Sequence, residues 1–564
     1  MTGSQAIVKA LEAEGVDVVF GYPGGAIMPT YDALDEAKER LHHVLVRHEQ
    51  AAIHGAVGYS RATQKVGVAI ATSGPGATNL LTGIADAQID SIPVVCITGQ
   101  VVSPLLGTDA FQEADIIGMS IAATKWNYQI TDPSEIPQMI KKAFEIAKSG
   151  RPGPVLLDIT KDAQVAMMDY IPAESYSNSK WLHKPTVDMD EILKASELIN
   201  NAKKPVVIAG HGVMLSCAEE SLFKLVEKGS LPVVNTLLGL SSFPYKHDLY
   251  KGMLGMHGNY AANILCNDAD VILAIGMRFD DRVTGKIEEY LPYAKIIHIE
   301  IDPSEIDKVI KADIGINADA KEAIDALMPY VASNNHDDWH KKFADEHTKE
   351  VYHVIDKETK PTTGDIKMAE VISMLSHKTK GKAIIVSDVG QHQMIAARYY
   401  KFMTKNAHIS SGGLGTMGFA LPAAIGAKIG VGYKQEVIAI AGDGGFQMNL
   451  QELAVLNQEN IAVKMIILNN GFLGMVRQWQ ELFFESRFAY TKISSPDFVK
   501  LAEAYDIAAN RVVNRADLSD TLDNFINSDK SELLEIVVEA QENVFPMVPA
   551  GESISNTKLK VEDL

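Results

Sequence analysis

The sequence has few cysteines and little positive charge for its length. Three cysteines occur among 564 residues, and Cys96, Cys217 and Cys266 are too scattered to form a metal-binding cluster. They are expected to be buried thiols in a reducing compartment. Lysine and arginine number 52 against 72 aspartate and glutamate residues, which gives a net charge of −20. A surface this acidic repels nucleic acids and anionic membranes, so neither is expected as a partner.

Long apolar runs, repeats and low-complexity segments are also missing. No run reaches the roughly 18 apolar residues of a membrane helix, and the N-terminus has no signal-peptide pattern, so a cytoplasmic location is expected. No short-period repeat suggests a solenoid or propeller. At 564 residues the chain is too long for one hydrophobic core, and three domains are expected.

Short apolar runs alternate with helical patterns along most of the chain, which is typical of parallel α/β domains. Three such domains are predicted, at residues 1–165, 190–330 and 366–545. The polar stretch 173–188 is predicted to be a linker, and 333–360 a helix plus linker. The tail 546–564 is predicted to be a flap or a disordered end.

Two polar sequences follow apolar runs in the third predicted domain. A Gly-Asp-Gly turn around Asp443 follows the run 437–441, and Asn470 follows the run 462–468. Each run is predicted to be a buried parallel strand, and the carboxyl ends of such strands meet at one edge of a sheet. Asp443 and Asn470 would there supply the hard oxygen ligands that Mg²⁺ uses beside a diphosphate. Taken alone, an ordinary turn and a strand-end cap explain these residues equally well.

Three further motifs are compatible with cofactor binding. Residues 413–418 fit G-x-G-x-x-G, but no free acidic residue follows at the spacing of a dinucleotide fingerprint, so only a phosphate- or ring-binding glycine loop is predicted. Gln391 and His392 follow a predicted strand and suit either a diphosphate or the first turn of a helix. Glu49 starts an alanine-rich helix, where an acidic side chain favours the helix dipole; the alternative is a proton-transfer role.

Asp443 and Asn470 are 27 positions apart, and together with Glu49 they resemble the motifs of the thiamine diphosphate (ThDP)-dependent decarboxylases and carboligases. Within that superfamily the chain resembles the acetohydroxyacid synthases (acetolactate synthases), catalytic subunit. The specific strings are GYPGGA at 21–26, TSGPGATN at 72–79, GTDAFQEAD at 107–115, LGMHG at 254–258 and RFDDRVTG at 278–285. The resemblance covers nearly the whole chain.

The resemblance implies that ThDP, Mg²⁺ and FAD are cofactors. Glu49 would activate ThDP by giving a proton to the pyrimidine N1′. Asp443, Asn470 and the backbone oxygen of Phe472 would hold Mg²⁺. Further ThDP contacts would come from Gln391, His392, Gly415, Met417, Gly444, Gly445, Met475 and Met448, the last supporting the bent cofactor. Catalytic and acceptor-pocket residues would be Gly25, Phe111, Gln112, Lys161, Met256, Arg282 and Trp479.

Some of these assignments have simpler alternatives. The alternative for Met448 is a methionine that packs in the hydrophobic core, which is the commoner role of this residue type. Arg282 would bind the acceptor carboxylate, or would be a solvated arginine paired with Asp280 or Asp281. Trp479 resembles the tryptophan that favours 2-oxobutyrate as acceptor.

In the biosynthetic branch of this family the middle domain binds FAD without net redox chemistry. The resemblance places FAD contacts at Gly210, Gly212, Gly276, Arg278 and Asp302. Catabolic relatives lack FAD and the Arg-Phe-Asp-Asp-Arg string at 278–282, which this chain has. Two departures from the family pattern, the Gly-Gly pair at 444–445 and the segment 471–473, leave the metal ligands intact.

The resemblance implies three domains with mainly parallel six-stranded sheets and an active site between subunits. A homodimer or homotetramer would be the working unit, with a small regulatory subunit as a possible partner. Pyruvate would be decarboxylated and its hydroxyethyl unit joined to a second 2-keto acid. The product would be 2-acetolactate or, from 2-oxobutyrate, 2-aceto-2-hydroxybutyrate, in branched-chain amino acid synthesis. The alternative is a pyruvate oxidase-like FAD/ThDP enzyme, against which Arg282 and Trp479 argue.

Overall fold

The structure is a computed structural model that describes residues 1–176 and 182–563. Its three parallel six-stranded sheets follow one another along the chain, which confirms the predicted α/β fold class. No helix in the described ranges is long and apolar enough to cross a membrane.

The first sheet has the strand order β2-β1-β3-β4-β6-β5, and its strand pairs are parallel. The strands are β1 Val18–Gly21, β2 His42–Leu45, β3 Gly67–Ala71, β4 Val94–Gln100, β5 Trp126–Ile130 and β6 Val155–Thr160. The helices are α1 Gly3–Ala13, α2 Met28–Glu36, α3 Glu49–Thr63, α4 Pro75–Asn79, α5 Leu81–Asp90, α6 Ile116–Ser120, α7 Ile136–Lys148 and α8 Lys161–Val165. Strands β3, β4 and β6 are buried along their whole lengths because helices cover both faces.

The second sheet has the order β12-β11-β10-β7-β8-β9, again parallel. Its strands are β7 Pro205–Ala209, β8 Val233–Asn235, β9 Tyr250–Met253, β10 Val271–Ile275, β11 Lys295–Glu300 and β12 Ile314–Asn317. The helices are α9 Met189–Asn201, α10 His211–Leu215, α11 Glu219–Gly229, α12 Tyr260–Asn267, α13 Asp281–Thr284 and α14 Ala320–Leu327. Numbered within the domain, this order is 3-2-1-4-5-6, that of doubly wound dinucleotide-binding folds, with the switch point between β7 and β10.

The connection to the third domain is helical, as predicted for 333–360. It comprises α15 Asp337–Glu350, a π-helical turn at Val351–Ile355 and α16 Asp356–Thr359.

The third sheet repeats the strand order of the first, as β14-β13-β15-β16-β18-β17. Its strands are β13 Ile384–Ser387, β14 His408–Ser410, β15 Val437–Gly442, β16 Lys464–Asn469, β17 Ala508–Val512 and β18 Glu532–Val537. The helices are α17 Met368–Lys378, α18 Gln391–Tyr399, α19 Ala420–Val431, α20 Asp443–Phe446, α21 Leu453–Gln458, α22 Gly474–Phe483, α23 Phe498–Ala504 and α24 Arg515–Asn527.

The first and third domains share one hydrophobic core. A single buried cluster contains Phe20 and Val57 of the first domain together with Phe419, Leu421 and Leu453 of the third. At its centre α3 packs directly against α19. The two domains of one chain therefore form a continuous body, and α3, which carries Glu49, is fixed against the helix that follows the glycine loop.

The C-terminal tail is ordered over its described residues and folds back onto the middle domain. Val548 N–H donates to the Met256 carbonyl at 2.8 Å, and Lys286 N–H donates to the Glu552 carbonyl at 3.0 Å. Of the two forms predicted for this tail, a flap or a disordered end, the backbone hydrogen bonds of residues 546–563 fit the flap.

The cysteine prediction is only partly correct. All three thiols are free, and Cys96 and Cys266 are buried, but Cys217 is exposed. Cys217 lies in the turn after α10, where its Sγ donates to Gln64 Oε1 at 3.4 Å.

Candidate active site

A cavity of about 1050 Å³ lies between the second and third domains, and residues 89–91 and 148–152 of the first domain form part of its wall. Its walls come from loops at the carboxyl ends of the strands of both sheets, where parallel α/β sheets bind ligands. The sequence-predicted residues that line it are Gly212, Met256, Gly276, Arg278, Arg282, Gln391, His392, Gly415, Met417, Asp443, Gly444, Gly445, Asn470, Phe472, Met475 and Trp479. We call this cavity the central cleft.

Asp443 and Asn470 lie side by side in the central cleft because β15 and β16 are adjacent, with Gly442 opposite Leu468. Burial raises the pKa of Asp443 to about 6, and its Oδ2 accepts from the Ser495 hydroxyl at 3.1 Å. Its Oδ1 is buried without a hydrogen-bond partner among the described residues. A carboxylate oxygen left in this state is costly unless a cation binds it.

The oxygen donors here fit Mg²⁺. Besides the free Asp443 oxygen, the cleft offers the Asn470 amide oxygen, which accepts from Phe472 N–H at 3.1 Å, and the Phe472 carbonyl. In the described ranges no group of three or more His, Cys, Asp or Glu side chains is placed to hold a metal. A cation at Asp443 would therefore need further oxygens, as Mg²⁺ obtains from a diphosphate.

The glycine loop that joins β14 to α19 is held by acidic residues that the sequence did not reveal as functional. Asp90 accepts from Gly412 N–H at 2.8 Å and Gly413 N–H at 2.7 Å. Asp388 accepts from Gly418 N–H at 3.0 Å, and burial raises its pKa to about 6. These carboxylates leave the middle of the loop free to face the cleft.

At the middle of the loop, Gly415 has φ +72°, and a Cβ there would have no neighbour closer than 3.8 Å. Open space over a glycine backbone is what a phosphate or a flat ring needs for close approach. Met417 follows two residues later and lines the same cleft. Gly445 has a packing reason to be glycine, since a Cβ there would lie 2.7 Å from the Asp388 carboxylate.

Gln391 and His392 form the first turn of α18, which matches the structural alternative considered from the sequence. The Gln391 amide donates to Gln478 Oε1 at 2.9 Å and to the Glu542 carbonyl at 2.7 Å. Burial lowers the pKa of His392 to about 4, so the ring is neutral and its Nε2 accepts from Gly442 N–H at 3.2 Å. Both side chains shape the cleft while bonded to protein groups.

Helix α22 places Met475 and Trp479 on one face, four residues apart, toward the cleft. Trp479 packs against Phe483 with ring centroids 4.9 Å apart. Met448 is not among the residues that line the central cleft of its own chain, and it is 54% exposed. It lies beside the glycine loop, since a Cβ on Gly418 would come 2.8 Å from Met448 Cβ, whereas Met417 lines the cleft itself.

Arg282 and Met256 meet at the cleft wall. Arg282 Nη1 lies 3.8 Å from Met256 Sδ, and Arg282 Nε lies 3.7 Å from the Asp281 carboxylate. The guanidinium is 66% exposed. The Asp281 pairing foreseen as an alternative is therefore present, but it is loose and leaves the guanidinium donors open toward the cavity.

The middle-domain glycines lie at the switch point of the second sheet. Gly210 and Gly212 follow β7, Gly276 follows β10, and Gly212 N–H donates to the Gly276 carbonyl at 3.0 Å. A Cβ on Gly212 would lie 2.6 Å from Gly276 Cα, so the two loops cross in direct backbone contact. Gly210 itself does not line the cleft; it allows this crossing.

Asp302 is also outside the cleft lining, because it begins the turn after β11 and accepts from Ser304 N–H at 3.0 Å. Residues that the sequence reasoning missed line the cleft beside it. Burial raises the pKa of Glu300 to about 7, and Arg151 of the first domain bonds to Glu305 at 2.9 Å. Glu300 had a detectable signal, since it ends a predicted strand; Arg151 had none.

The predicted residues of the first domain lie outside the central cleft of their own chain. They are Gly25, Glu49, Phe111, Gln112 and Lys161. Glu49 is 8% exposed, and its Oε2 accepts from the Asn79 amide at 2.9 Å. Phe111 is 89% exposed, and a Cβ on Gly25 would meet nothing within 4 Å. Lys161 is half-buried at the start of α8.

Comparison with known families accounts for all three domains. "Thiamine pyrophosphate enzyme, N-terminal TPP binding domain" matches residues 1–119, the central domain of the same enzymes matches 192–327, and their C-terminal TPP binding domain matches 388–536. A probable acetolactate synthase large subunit of Methanocaldococcus jannaschii is 46% identical over 99% of this chain and 95% of its own length.

The chain belongs to the acetolactate synthase large-subunit family. The acetolactate synthase isozyme 2 large subunit of Escherichia coli is 43% identical over 98% of this chain and 99% of its own length. The acetolactate synthase large subunit of Lactococcus lactis is 44% identical over 98% and 95%. These family members match from the first domain to the third, and the resemblance inferred from short strings is confirmed.

Proposed function

We propose that the protein is the catalytic subunit of an acetolactate synthase, which decarboxylates pyruvate and joins the remaining two carbons to a second 2-keto acid. The observation that carries this proposal is the shared cleft. The Asp443–Asn470 pair and the glycine loop supply a diphosphate and metal site, and Arg282, Met256 and Trp479 face the same space. An oxidase would have no second keto acid for these last residues to bind.

ThDP, when bound, supplies the electron sink that allows a 2-keto acid to lose CO₂. We assign Mg²⁺ to the free Asp443 oxygen, the Asn470 amide oxygen and the Phe472 carbonyl. Met417, rather than Met448, is the better-placed methionine to support the cofactor, because it lines the cleft next to Gly415. The glycine-loop N–H groups that protein oxygens do not already accept from, together with those at the start of α20, would donate to the diphosphate oxygens.

Glu49 is assigned the proton transfer to the cofactor pyrimidine. Its carboxylate is oriented by Asn79, and Gly76 lets the backbone approach, since a Cβ there would lie 3.2 Å from Glu49 Oε1. Because Glu49, Gly25 and Phe111 lie outside their own chain's cleft, a second copy must bring them to it. A homodimer is therefore the smallest active unit, and the exposed Phe111 side chain would be covered at the subunit contact.

Arg282 and Trp479 are assigned to the acceptor 2-keto acid. The open guanidinium donors of Arg282 suit a carboxylate, and the Trp479 ring gives apolar surface for a methyl or ethyl group. These contacts position the acceptor carbonyl and exclude water from the reacting carbon.

FAD is assigned to the middle-domain part of the cleft. The 3-2-1-4-5-6 strand order, the glycine crossing at its switch point and Arg278 beside it fit a dinucleotide. A small regulatory subunit is proposed as a partner because relatives are called large subunits. A cytoplasmic location agrees with the free thiols and the acidic composition.

The test is an assay of the purified protein with ThDP, Mg²⁺ and pyruvate, with and without FAD, that measures acetolactate and hydrogen peroxide. FAD-dependent acetolactate without peroxide is expected. Peroxide without acetolactate would mean an oxidase and would remove the roles given to Arg282 and Trp479. A Glu49→Gln variant should bind ThDP almost normally while turnover falls by about 10²-fold or more.

A further inference from the structure

Glu452 is a buried carboxylate of the third domain that bonds to backbone of the first domain. It is 0% exposed, and both of its oxygens accept from Arg47 N–H, at 3.0 and 3.1 Å. His48 N–H also faces the carboxylate, and the Gln451 amide donates to it at 3.4 Å. Those backbone N–H groups stand immediately before Glu49, the first residue of α3.

The surroundings hold this part of the chain from both sides. The Arg47 guanidinium donates to the Leu45 carbonyl at 2.7 Å and to Gln458 Oε1 at 2.8 Å, which joins the end of β2 to α21. A buried carboxylate costs free energy, which is offset here by several N–H donors and the positive end of a helix dipole. The contact therefore fixes the position at which α3 begins, and with it the position of the Glu49 backbone from which the side chain extends.

The same segment leads back to the cleft. Asp443 opens α20, Asn449 donates to the Gly418 carbonyl at 2.8 Å, and Glu452 follows three residues later. One end of the segment 443–452 therefore builds the metal position, and the other end holds the chain before Glu49. Glu49 itself lies outside this cleft.

We propose that Glu452 is a positioning residue for Glu49, and that the segment 443–452 links the metal position of one active site to the proton-transfer glutamate of the other. This inference rests on the proposed function, in which Glu49 of one subunit serves the cofactor bound by its partner. A shift in the segment at one site would move the start of α3 and alter the Glu49 geometry at the second site.

The direct test is the rate at which deuterium replaces the C2 proton of ThDP bound to the intact enzyme. The exchange is stopped with acid at set times, and the remaining C2 proton is measured by NMR. This rate reports the Glu49 step without requiring the later carboligation. Glu452→Met, which keeps the side-chain length and removes the acceptors, should slow exchange and kcat by about 10- to 100-fold. The ThDP affinity and the pyruvate KM should change less than about 3-fold. Glu452→Gln keeps an acceptor for Arg47 N–H and should stay within about 3-fold of wild type.

Glu459→Gln is the matched control. Glu459 lies seven residues later on the same domain boundary, and its carboxylate accepts from His42 Nε2 at 2.7 Å on β2, away from the start of α3. Its exchange rate should equal that of wild type. If Glu452→Met does not fold, Glu452→Asp, which is one methylene too short to reach Arg47 N–H, must show the same slowing.

Normal exchange in a folded Glu452→Met or Glu452→Asp enzyme would overturn the inference, as would equal slowing in Glu459→Gln. Glu49→Gln separates this outcome from a failure of the proposed function. If Glu49→Gln exchanges normally, the role of Glu49 itself is wrong. If Glu49→Gln is slow and the Glu452 variants are normal, only the positioning role is wrong.

Discussion

A methyl group added at Gly426 should disrupt the docking of the first and third domains far more than one added at Gly430 on the same helix, α19. A Cβ on Gly426 would overlap the Gly55 carbonyl and lie 2.9 Å from Gly55 Cα, in the middle of α3. Ordinary carbon–carbon contacts are about 3.5–4.0 Å, so the two helix backbones would have to separate by about 1 Å. Backbone atoms cannot rotate away as a side chain can.

At Gly430 the added methyl would instead meet side chains, with Thr63 Cγ2 at 2.5 Å and a Tyr59 ring carbon at 3.2 Å. Both substitutions gain about 1 kcal/mol of helix propensity. Overpacking against backbone costs about 1–3 kcal/mol or more. Gly426→Ala should therefore be less stable than Gly430→Ala by about 2 kcal/mol, while Gly430→Ala stays close to wild type.

The assay is thermal unfolding of both variants at one scan rate, with specific activity measured on the same samples. A difference of 2 kcal/mol corresponds to about 4–8 °C for a unit of 150–250 residues and to a smaller shift for the larger body that the first and third domains form. Activity should fall with Gly426→Ala, because α3 carries Glu49 and α19 follows the glycine loop. A Gly426→Ala enzyme that melts at or above the temperature of Gly430→Ala would refute the reasoning.

Three further outcomes are expected. Asp443→Asn should raise the Mg²⁺ concentration for half-maximal activity at least about 10-fold, because the side chain loses the negative charge on its free buried oxygen. Ser495→Ala removes only the hydroxyl that donates to Asp443 Oδ2, so it should raise that concentration less. Trp479→Leu should reduce the preference for 2-oxobutyrate over pyruvate by about 10-fold, read from the product ratio in competition; an unchanged ratio would contradict the assigned pocket. Burial raises the pKa of Glu358 from 4.5 to about 8. The folded state therefore holds this proton more tightly than the unfolded state does, and the resulting stabilisation is fully present below pH 4.5 and is lost as the pH rises toward 8. Glu358→Gln should remove this slope, gaining up to about 1.4 kcal/mol per pH unit relative to wild type in urea unfolding between pH 5 and 8; parallel curves would show that Glu358 does not titrate there.

The fold was largely predictable because its signals are local. The run before Asp443 is apolar throughout and the run before Asn470 is interrupted only by Lys464, as is typical of parallel strands covered on both faces, and the two runs form β15 and β16. Adjacent parallel strands end at the same edge, so the meeting of the two side chains followed from sequence order alone. The glycine loop at 413–418 was likewise found from its spacing, and it lines the cleft.

Several site residues were not predictable because their partners are distant in the sequence. Asp90 lies more than 300 positions before the loop glycines it binds, and nothing around it in the sequence indicates that contact. From the sequence, Gln391 suits a diphosphate contact and the first turn of a helix equally well. Only the tertiary structure shows that its amide donates to Gln478. The tail was expected to be a flap or a disordered end, and only the fold shows that its backbone pairs with the Met256 loop.

The sequence by itself determined the strands, the family and the oxygen donors at Asp443 and Asn470, because these depend on residue order over a few tens of positions. Tertiary structure alone decided which side of each element faces the cleft. It placed Met417 inside and Met448 outside, turned Glu49 away from its own chain's cleft, and brought Glu452 against Arg47 N–H. Those outcomes depend on how whole helices and domains dock, and the free energy of docking comes from contacts spread across both domains rather than from any short motif.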